Sequence, residues 1–277
     1  MNRLIQYSKL AILSILILSS IQQLNGQNIK GKGSDTMLPL MEELVKIYKA
    51  RTTKSVDIIG GGSSLGFKGL TNYDIEFALS SRKVEENEKV KIEKKYDQLL
   101  ENIIAYDALS IITHPSNKVT KLTIAQLKKV FKGEITNWKQ LGGEDLQIVV
   151  ISRDKNSGSY GFMESIILND EAITNTCIVS RSNAGVVQRV GLERGAIGYC
   201  GIAYVEEIVK PLAICDRNNK YIYPSFKNAL QKIYPLSRPL YLYYRKSDKL
   251  KVDYLINFAL SDRGQQIIAH KGYIPVF

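Results

Sequence analysis

Four short segments concentrate the residue types that grip an oxyanion: Gly33-Ser34-Asp35-Thr36-Met37, Gly60-Gly61-Gly62-Ser63-Ser64-Leu65-Gly66, Ser80-Ser81-Arg82 and Ser152-Arg153-Asp154-Lys155-Asn156-Ser157-Gly158-Ser159. Each follows a run that reads as a strand and precedes a predicted helix start. The first N–H groups of a helix have no internal partner and carry the positive end of its dipole. Glycine lets an anion approach that backbone, and serine or threonine hydroxyls add donors. Arg153 adds a planar fork of N–H groups matched to tetrahedral oxygens. Any one such loop has an ordinary explanation, because Ser and Gly are also capping and turn residues. Recurrence is the signal: convergent loops at the carboxyl ends of strands are where open α/β sheets bind ligands.

A different chemistry competes for the second loop. Gly62-Ser63-Ser64-Leu65-Gly66 satisfies the G-x-S-x-G pattern of a nucleophile elbow, which would make Ser64 an acyl-transfer nucleophile with His270 as base. The pattern is short and arises easily in Gly/Ser-rich loops. His270, at the end of a Lys-flanked helix, suits an exposed histidine that complements the helix dipole. This acyl hydrolase is the weakest reading. A Walker phosphate loop fails because no Gly-Lys-Ser/Thr follows a glycine at the required spacing.

The elements that must position these loops alternate. Strands are predicted over 56–59, 76–79, 103–113, 147–152 and 196–199. Helical periodicity spans 37–49, where Met37, Leu40, Met41, Leu44, Val45 and Tyr48 share a face. A second helix opens on the Thr123/Gln126 capping box and stops at Gly133; a last long helix is predicted over 252–270. The alternation indicates an α/β fold, with mostly parallel sheets flanked by helices. Two stretches, 102–114 and 234–244, are long enough to cross between lobes. Two crossings would place 27–107 with 238–277 in one lobe and 108–237 in the other, with the cleft between them. A single domain with long strands fits the same pattern.

The chain has 277 residues, 44% of them hydrophobic and 23% charged, an ordinary globular balance. Arg3 and Lys9, an apolar run over 10–18 and a polar stretch ending at Gly26 read as a cleaved secretory signal over 1–26. That run is too short to span a membrane. Removing it takes two positive charges and no acid from a net +11, leaving +9. Such a field suits an anionic solute. No zinc-finger spacing or aromatic RNA-binding box supports nucleic acid, and export argues against it. Cys177, Cys200 and Cys215 permit one disulfide of unspecified pairing, Cys200 reading as a packed thiol. No Cys/His spacing suggests a metal.

At these loops the sequence resembles the phosphate-binding proteins of bacterial high-affinity phosphate ABC transporters. The likeness runs through GSDTMLPL at 33–40, GGGSSLGFKGL at 60–70, FALSSRK at 77–83, ITNWKQLGG at 135–143, SRDKNSGSYGF at 152–162, GAIGYCG at 195–201 and FALSDRGQQIIAHKGYIPV at 258–276. The resemblance implies a two-lobed type II periplasmic-binding fold that closes on one dehydrated phosphate. It places Thr36, the Met37 backbone, Ser63, Arg153, Ser157, Gly158 and Ser159 on the anion; Ser34, Asp35, Ser64 and Ser81 complete the candidate set. Many members carry an aspartate at the position of Ser81, where it accepts the proton of hydrogen phosphate and repels sulfate. With Ser81 there, Asp35 is the nearest carboxylate by sequence, although an N-cap is its ordinary role. Arg82 supplies either a second positive group or a surface charge. The implied partners are inorganic phosphate and the membrane permease of an ABC transporter. A monomer without cofactor, metal or nucleic acid is expected, in the periplasm or on the extracytoplasmic face. Another tetrahedral oxyanion, or a binding module turned sensor or adhesin, are the alternatives.

Overall fold

The structure, a computed structural model, describes residues 28–50, 52 and 55–277. The signal read over 1–26 lies outside them. In chain order the strands are β1 (Ile29–Gly33), β2 (Val56–Ile59), β3 (Phe77–Ser80), β4 (Leu99–Thr113), β5 (Lys121–Leu122), β6 (Val149–Arg153), β7 (Ile178–Ser180), β8 (Ala196–Gly201), β9 (Lys210–Pro211), β10 (Ala213–Cys215), β11 (Tyr221–Ile222) and β12 (Ser237–Arg245). The large sheet runs β2-β1-β3-β12-β4-β8-β6-β7, with β9 on β4; β11-β10-β5 form a small second sheet. Each end of the large sheet is a parallel trio, β2-β1-β3 and β8-β6-β7. The long strands β12 and β4 join them with antiparallel pairing.

β4 explains how one sheet serves two lobes. Its first part, Leu99–Ala108, pairs with β12, and its last part, Leu109–Thr113, pairs with β8. The apolar side chains divide in the same way. One core gathers Met41, Leu44, Phe77, Ile104, Leu242 and Leu255; a second gathers Leu109, Leu127, Phe131, Trp138, Ile197 and Tyr199. Each parallel trio, sealed by helices on its own core, is a lobe, so the molecule is a two-lobed α/β protein.

Local rules account for the helices that matter to the cleft. After β1 a 3-10 turn, Asp35–Met37, leads into the helix Leu38–Lys49, with Pro39 in the first turn, where its missing N–H costs nothing. Leu40, Met41, Leu44, Val45 and Tyr48 are its buried face. The capping box at Thr123 and Gln126 starts the helix Ile124–Lys132, and Gly133 ends it with φ 78°.

One sequence expectation is corrected. The stretch 252–270 is two helices, Lys249–Ala259 and Asp262–His270. Ser261 makes the break: its Oγ donates to the Phe258 carbonyl at 2.7 Å and accepts from the Gly264 amide at 3.2 Å. The turn is tight enough that a Cβ on Gly264 would sit 2.2 Å from the Phe258 oxygen. Periodicity hid the break because Leu255, Ile256, Ile267 and Ile268 all face the same core. Among the described residues no helix is long and apolar enough to cross a membrane.

Candidate functional site

The loops after β1, β2 and β3 meet the loops after β6, β7 and β8 at the seam between lobes. The loops after β2 and β6 touch through backbone: Ser64 N–H donates to the Asn156 carbonyl at 3.2 Å. Two glycines make the approach possible. A Cβ on Gly158 would lie 2.3 Å from Ser63 Oγ and 2.5 Å from Ser81 Oγ, and one on Gly62, already at φ +117°, would lie 2.4 Å from the Asn156 oxygen.

Hydroxyls line this seam. Ser34, Thr36, Ser63, Ser81, Ser157 and Ser159 are all buried. Ser34 Oγ donates to Ser81 Oγ at 3.0 Å, Ser81 N–H donates to Ser63 Oγ at 3.2 Å, and Thr36 Oγ1 lies 3.3 Å from Ser159 Oγ. Ser157 Oγ caps the short helix Gly158–Phe162 by accepting from the amides of Ser159 and Tyr160. The Met37 amide is engaged within its turn by the Ser34 carbonyl at 3.1 Å. Ser64 turns aside, its Oγ accepting from Arg82 Nη2 at 2.9 Å. Its partner is thus a guanidinium, and His270 sits exposed at the end of the last helix. Arg82 is no surface charge: it is buried and forks onto Glu88 at 2.7 and 2.8 Å.

Arg153 enters the same space from the end of β6, 1% exposed. Its Nη2 donates to the Arg181 carbonyl at 3.0 Å and lies 3.5 Å from Asp35 Oδ2. Its Nε and Nη1 are buried with no hydrogen-bond partner among the described residues. A buried guanidinium rarely leaves two donors unpaired, since each unmade bond forfeits the stabilisation that water gave it. Tyr199 steadies the arginine from behind: its Oη accepts from the Arg153 amide at 3.1 Å and bonds Ser152 Oγ at 2.9 Å. Burial pushes the Tyr199 phenol up to about 12, so it stays neutral at any physiological pH.

Asp35 is not an N-cap. Its Oδ2 reaches across the seam to accept from the Asn183 amide at 3.0 Å and Asn183 Nδ2 at 3.2 Å. Tyr204 Oη donates to the Asp35 carbonyl at 2.7 Å, and Tyr273 Oη to the Thr36 carbonyl at 2.6 Å. Burial, then the negative charge of Asp35, raises the Tyr204 phenol above its ordinary value.

Three residues at the seam escaped the sequence reading: Asp107, Asn183 and Arg238. Arg238 and Asp107 are register partners on β12 and β4. Arg238 donates to Asp107 Oδ2 from Nε at 3.0 Å and Nη2 at 2.8 Å, and Nη2 also reaches Ser159 Oγ at 2.9 Å and Thr36 Oγ1 at 3.4 Å. A signal existed, since Asp107 is the lone charge in the apolar run 103–113, and a buried charge is seldom left unpaired. Its partner lies 131 positions on. The three cysteines are unpaired, Cys200 buried and Cys177 and Cys215 half-buried, and no cluster of metal-ligating side chains occurs among the described residues.

The arrangement, two lobes whose donor-rich loop tips meet at a buried polar seam, defines a solute-binding protein. A family model described as the PBP superfamily domain matches residues 19–263. The phosphate-binding protein PstS of Borreliella burgdorferi is 34% identical over 254 residues, covering 88% of each chain; that of Pseudomonas aeruginosa is 30% identical over 268 residues, covering 90% of this chain and 83% of its own. A phosphate ABC transporter substrate-binding protein of Clostridium perfringens, solved with bound phosphate, superposes with a TM-score of 0.82 at 31% identity, covering 91% of this chain and all of its own. The chain belongs to the PstS family of phosphate-binding proteins within the PBP superfamily.

Proposed function

We propose that this chain captures inorganic phosphate outside the cytoplasmic membrane and passes it to the permease of an ABC transporter, with no chemical turnover. The observation that carries the reading is the meeting of Thr36, Ser63 and Ser81 from one lobe with Arg153 and Ser157–Ser159 from the other at one buried polar seam. A ligand held by both halves stabilises the closed form by its differential affinity for that form. Charge-assisted hydrogen bonds contribute roughly 1.5–3 kcal/mol each, so a handful reaches micromolar affinity after the cost of closure.

In this reading Ser34, Asp35, Thr36, Met37, Ser63, Ser64, Ser81, Arg153, Ser157, Gly158 and Ser159 form the site and its immediate supports. Residues 27–107 with 238–277 make one lobe and 108–237 the other, a division the core clusters follow except at Ile274, which is buried in a core of the second lobe. The first 26 residues direct export and are removed, and the protein works as a monomer.

The unpartnered Nε and Nη1 of Arg153 make it the decisive test. Arg153→Ala weakens phosphate binding at least tenfold, about 1.4 kcal/mol, with the fold retained. Calorimetry showing wild-type affinity in a folded variant removes Arg153 from the site. A thermal-shift panel of phosphate, sulfate, arsenate and molybdate tests the ligand class, because a ligand that binds only the native form raises the melting temperature.

A further inference from the structure

Arg238 is 1% exposed, and its carboxylate partner Asp107 is fully buried. Asp107 is held in turn by the Ile202 amide, which donates to Oδ1 at 3.1 Å. The guanidinium therefore has one orientation. Nη2 carries two protons: one serves Asp107, and the other lies between Ser159 Oγ at 2.9 Å and Thr36 Oγ1 at 3.4 Å. Nη1 has no hydrogen-bond partner among the described residues. A packing arginine would fill its donors with backbone oxygens; this one spends them on two hydroxyls of the cleft.

The direction of these bonds matters. A hydroxyl has one proton and two lone pairs, and arginine can only donate. Thr36 Oγ1 also receives Asn183 Nδ2 at 3.3 Å, and the amide orientation of Asn183 is set by its Oδ1, which accepts from the Gly201 amide at 3.3 Å. Thr36 oxygen is thus loaded from two sides and Ser159 oxygen from one. With both lone pairs engaged Thr36 can only donate, and Ser159 Oγ lies 3.3 Å away to receive its proton. Ser159, loaded by Arg238 and Thr36 in turn, is left with its own proton to face a guest.

We propose that Arg238, clamped by Asp107, is a positioning residue of the anion site: it loads the oxygens of Thr36 and Ser159 so that Ser159 is left an obligate donor, and the cleft selects an oxyanion presenting an acceptor to it. This rests on the phosphate reading above. The pair lies on β4 and β12, the strands that join the lobes, so the hydroxyls are oriented from the seam itself.

The test is a double-mutant cycle read by phosphate calorimetry on the full mature chain, with Arg238→Gln, Ser159→Ala and the double variant. Each single change is expected to weaken phosphate about tenfold. The double is expected to lose less than about threefold beyond Arg238→Gln, because without the arginine the Ser159 proton is no longer directed. Arg238→Lys, which keeps a donor and the charge, is expected to recover part of the loss. Losses that multiply, or wild-type affinity in folded Arg238→Gln, overturn the proposal while leaving phosphate capture standing. Should Arg238→Gln melt below the assay temperature, Asp107→Asn replaces it in the cycle with the same expected coupling, and multiplied losses there overturn the proposal equally. Wild-type protein that takes up no phosphate ends the phosphate reading, and this proposal with it.

Discussion

β12 carries two buried arginines, and they do opposite things. Arg238 at its start is 1% exposed and Arg245 at its end is fully buried; each has an aspartate partner. Arg245 gives Nη1 to the Leu70 carbonyl and Nη2 to the Ile75 carbonyl, both at 2.7 Å, with Asp248 Oδ2 at 2.5 Å from Nη2. Its plane lies over Tyr73, 4.0 Å from the ring centroid. Those acceptors tie the end of one helix and the turn after it to the sheet. Among the described residues each arginine keeps one buried N–H without a partner, Nη1 in Arg238 and Nε in Arg245; what differs is that beyond its aspartate Arg238 meets side-chain hydroxyls at the seam. The lesson concerns what a buried cation faces. Filled by backbone oxygens it is a staple; aimed at rotatable hydroxyls between lobes it is part of a binding site.

The sharpest way to break this comparison is to replace the staple. Arg245→Met strips the Leu70 and Ile75 carbonyls of their donors and leaves Asp248 with Lys251, at 3.0 Å, as its remaining partner, and each buried polar group left unsatisfied costs about 1–3 kcal/mol. The expected result is a large drop in denaturation midpoint with phosphate affinity unchanged in the folded fraction. An affinity loss as large as that of Arg238→Gln, measured well below the melting transition, would erase the distinction between the two arginines.

A smaller effect sharpens the contrast inside the cleft. Hydrogen phosphate retains a proton and sulfate has none, so a wall made only of donors accepts both, while a carboxylate favours the protonated anion. Ser81 offers a hydroxyl, and Asp35 is the carboxylate contributed by the first loop. Excess sulfate is expected to displace phosphate measurably from the wild type. Asp35→Ala is expected to shift the phosphate-to-sulfate ratio about tenfold towards sulfate. The ratio is the readout because loss of the Asn183 partner weakens both anions alike. Competition calorimetry showing complete indifference to sulfate in both proteins defeats this role for Asp35.

How much of this was legible in the sequence follows from the range of the forces involved. The Thr123 box and the Gly133 stop are local, and both appear as read. The alternation of strands and helices, and with it the α/β class, was equally plain, whereas the division into two lobes came from the family resemblance because the alternation also fits one domain with long strands. Helix limits were less so: 252–270 looked continuous because its two halves bury side chains in one core, and only the Ser261 and Gly264 contacts reveal the reversal. In the cleft, each loop that announced itself did so through glycines and hydroxyls close together in sequence. Arg238 and Asn183 sit outside such loops. They reach Thr36 only through a strand register and a helix position set by the whole fold, at separations of 202 and 147 residues. No spacing rule connects them.

The exposed ion pairs set the floor of the comparison. Glu171 accepts from Lys128 and from Lys132 Nζ, the latter at 2.6 Å, on the outer surface of the second lobe. Hydrogen bonds from Lys128 and then Lys132 hold its carboxyl down to about 2 from an ordinary 4.5. A carboxyl depressed by folding contributes stability that is present above its unfolded value and lost as pH falls from about 4.5 towards 2. Solvent screens this cluster, and long lysine side chains lose entropy when held, so little of that contribution survives. Glu171→Gln is expected to move the melting temperature at pH 7 by less than about one degree, and the small difference from wild type is expected to vanish in high salt or at pH 2. Scanning both proteins at low and high salt checks it. A salt-insensitive drop of several degrees would mean that an exposed carboxylate here behaves like the buried partners of Arg238 and Arg245, and that burial is not what separates them.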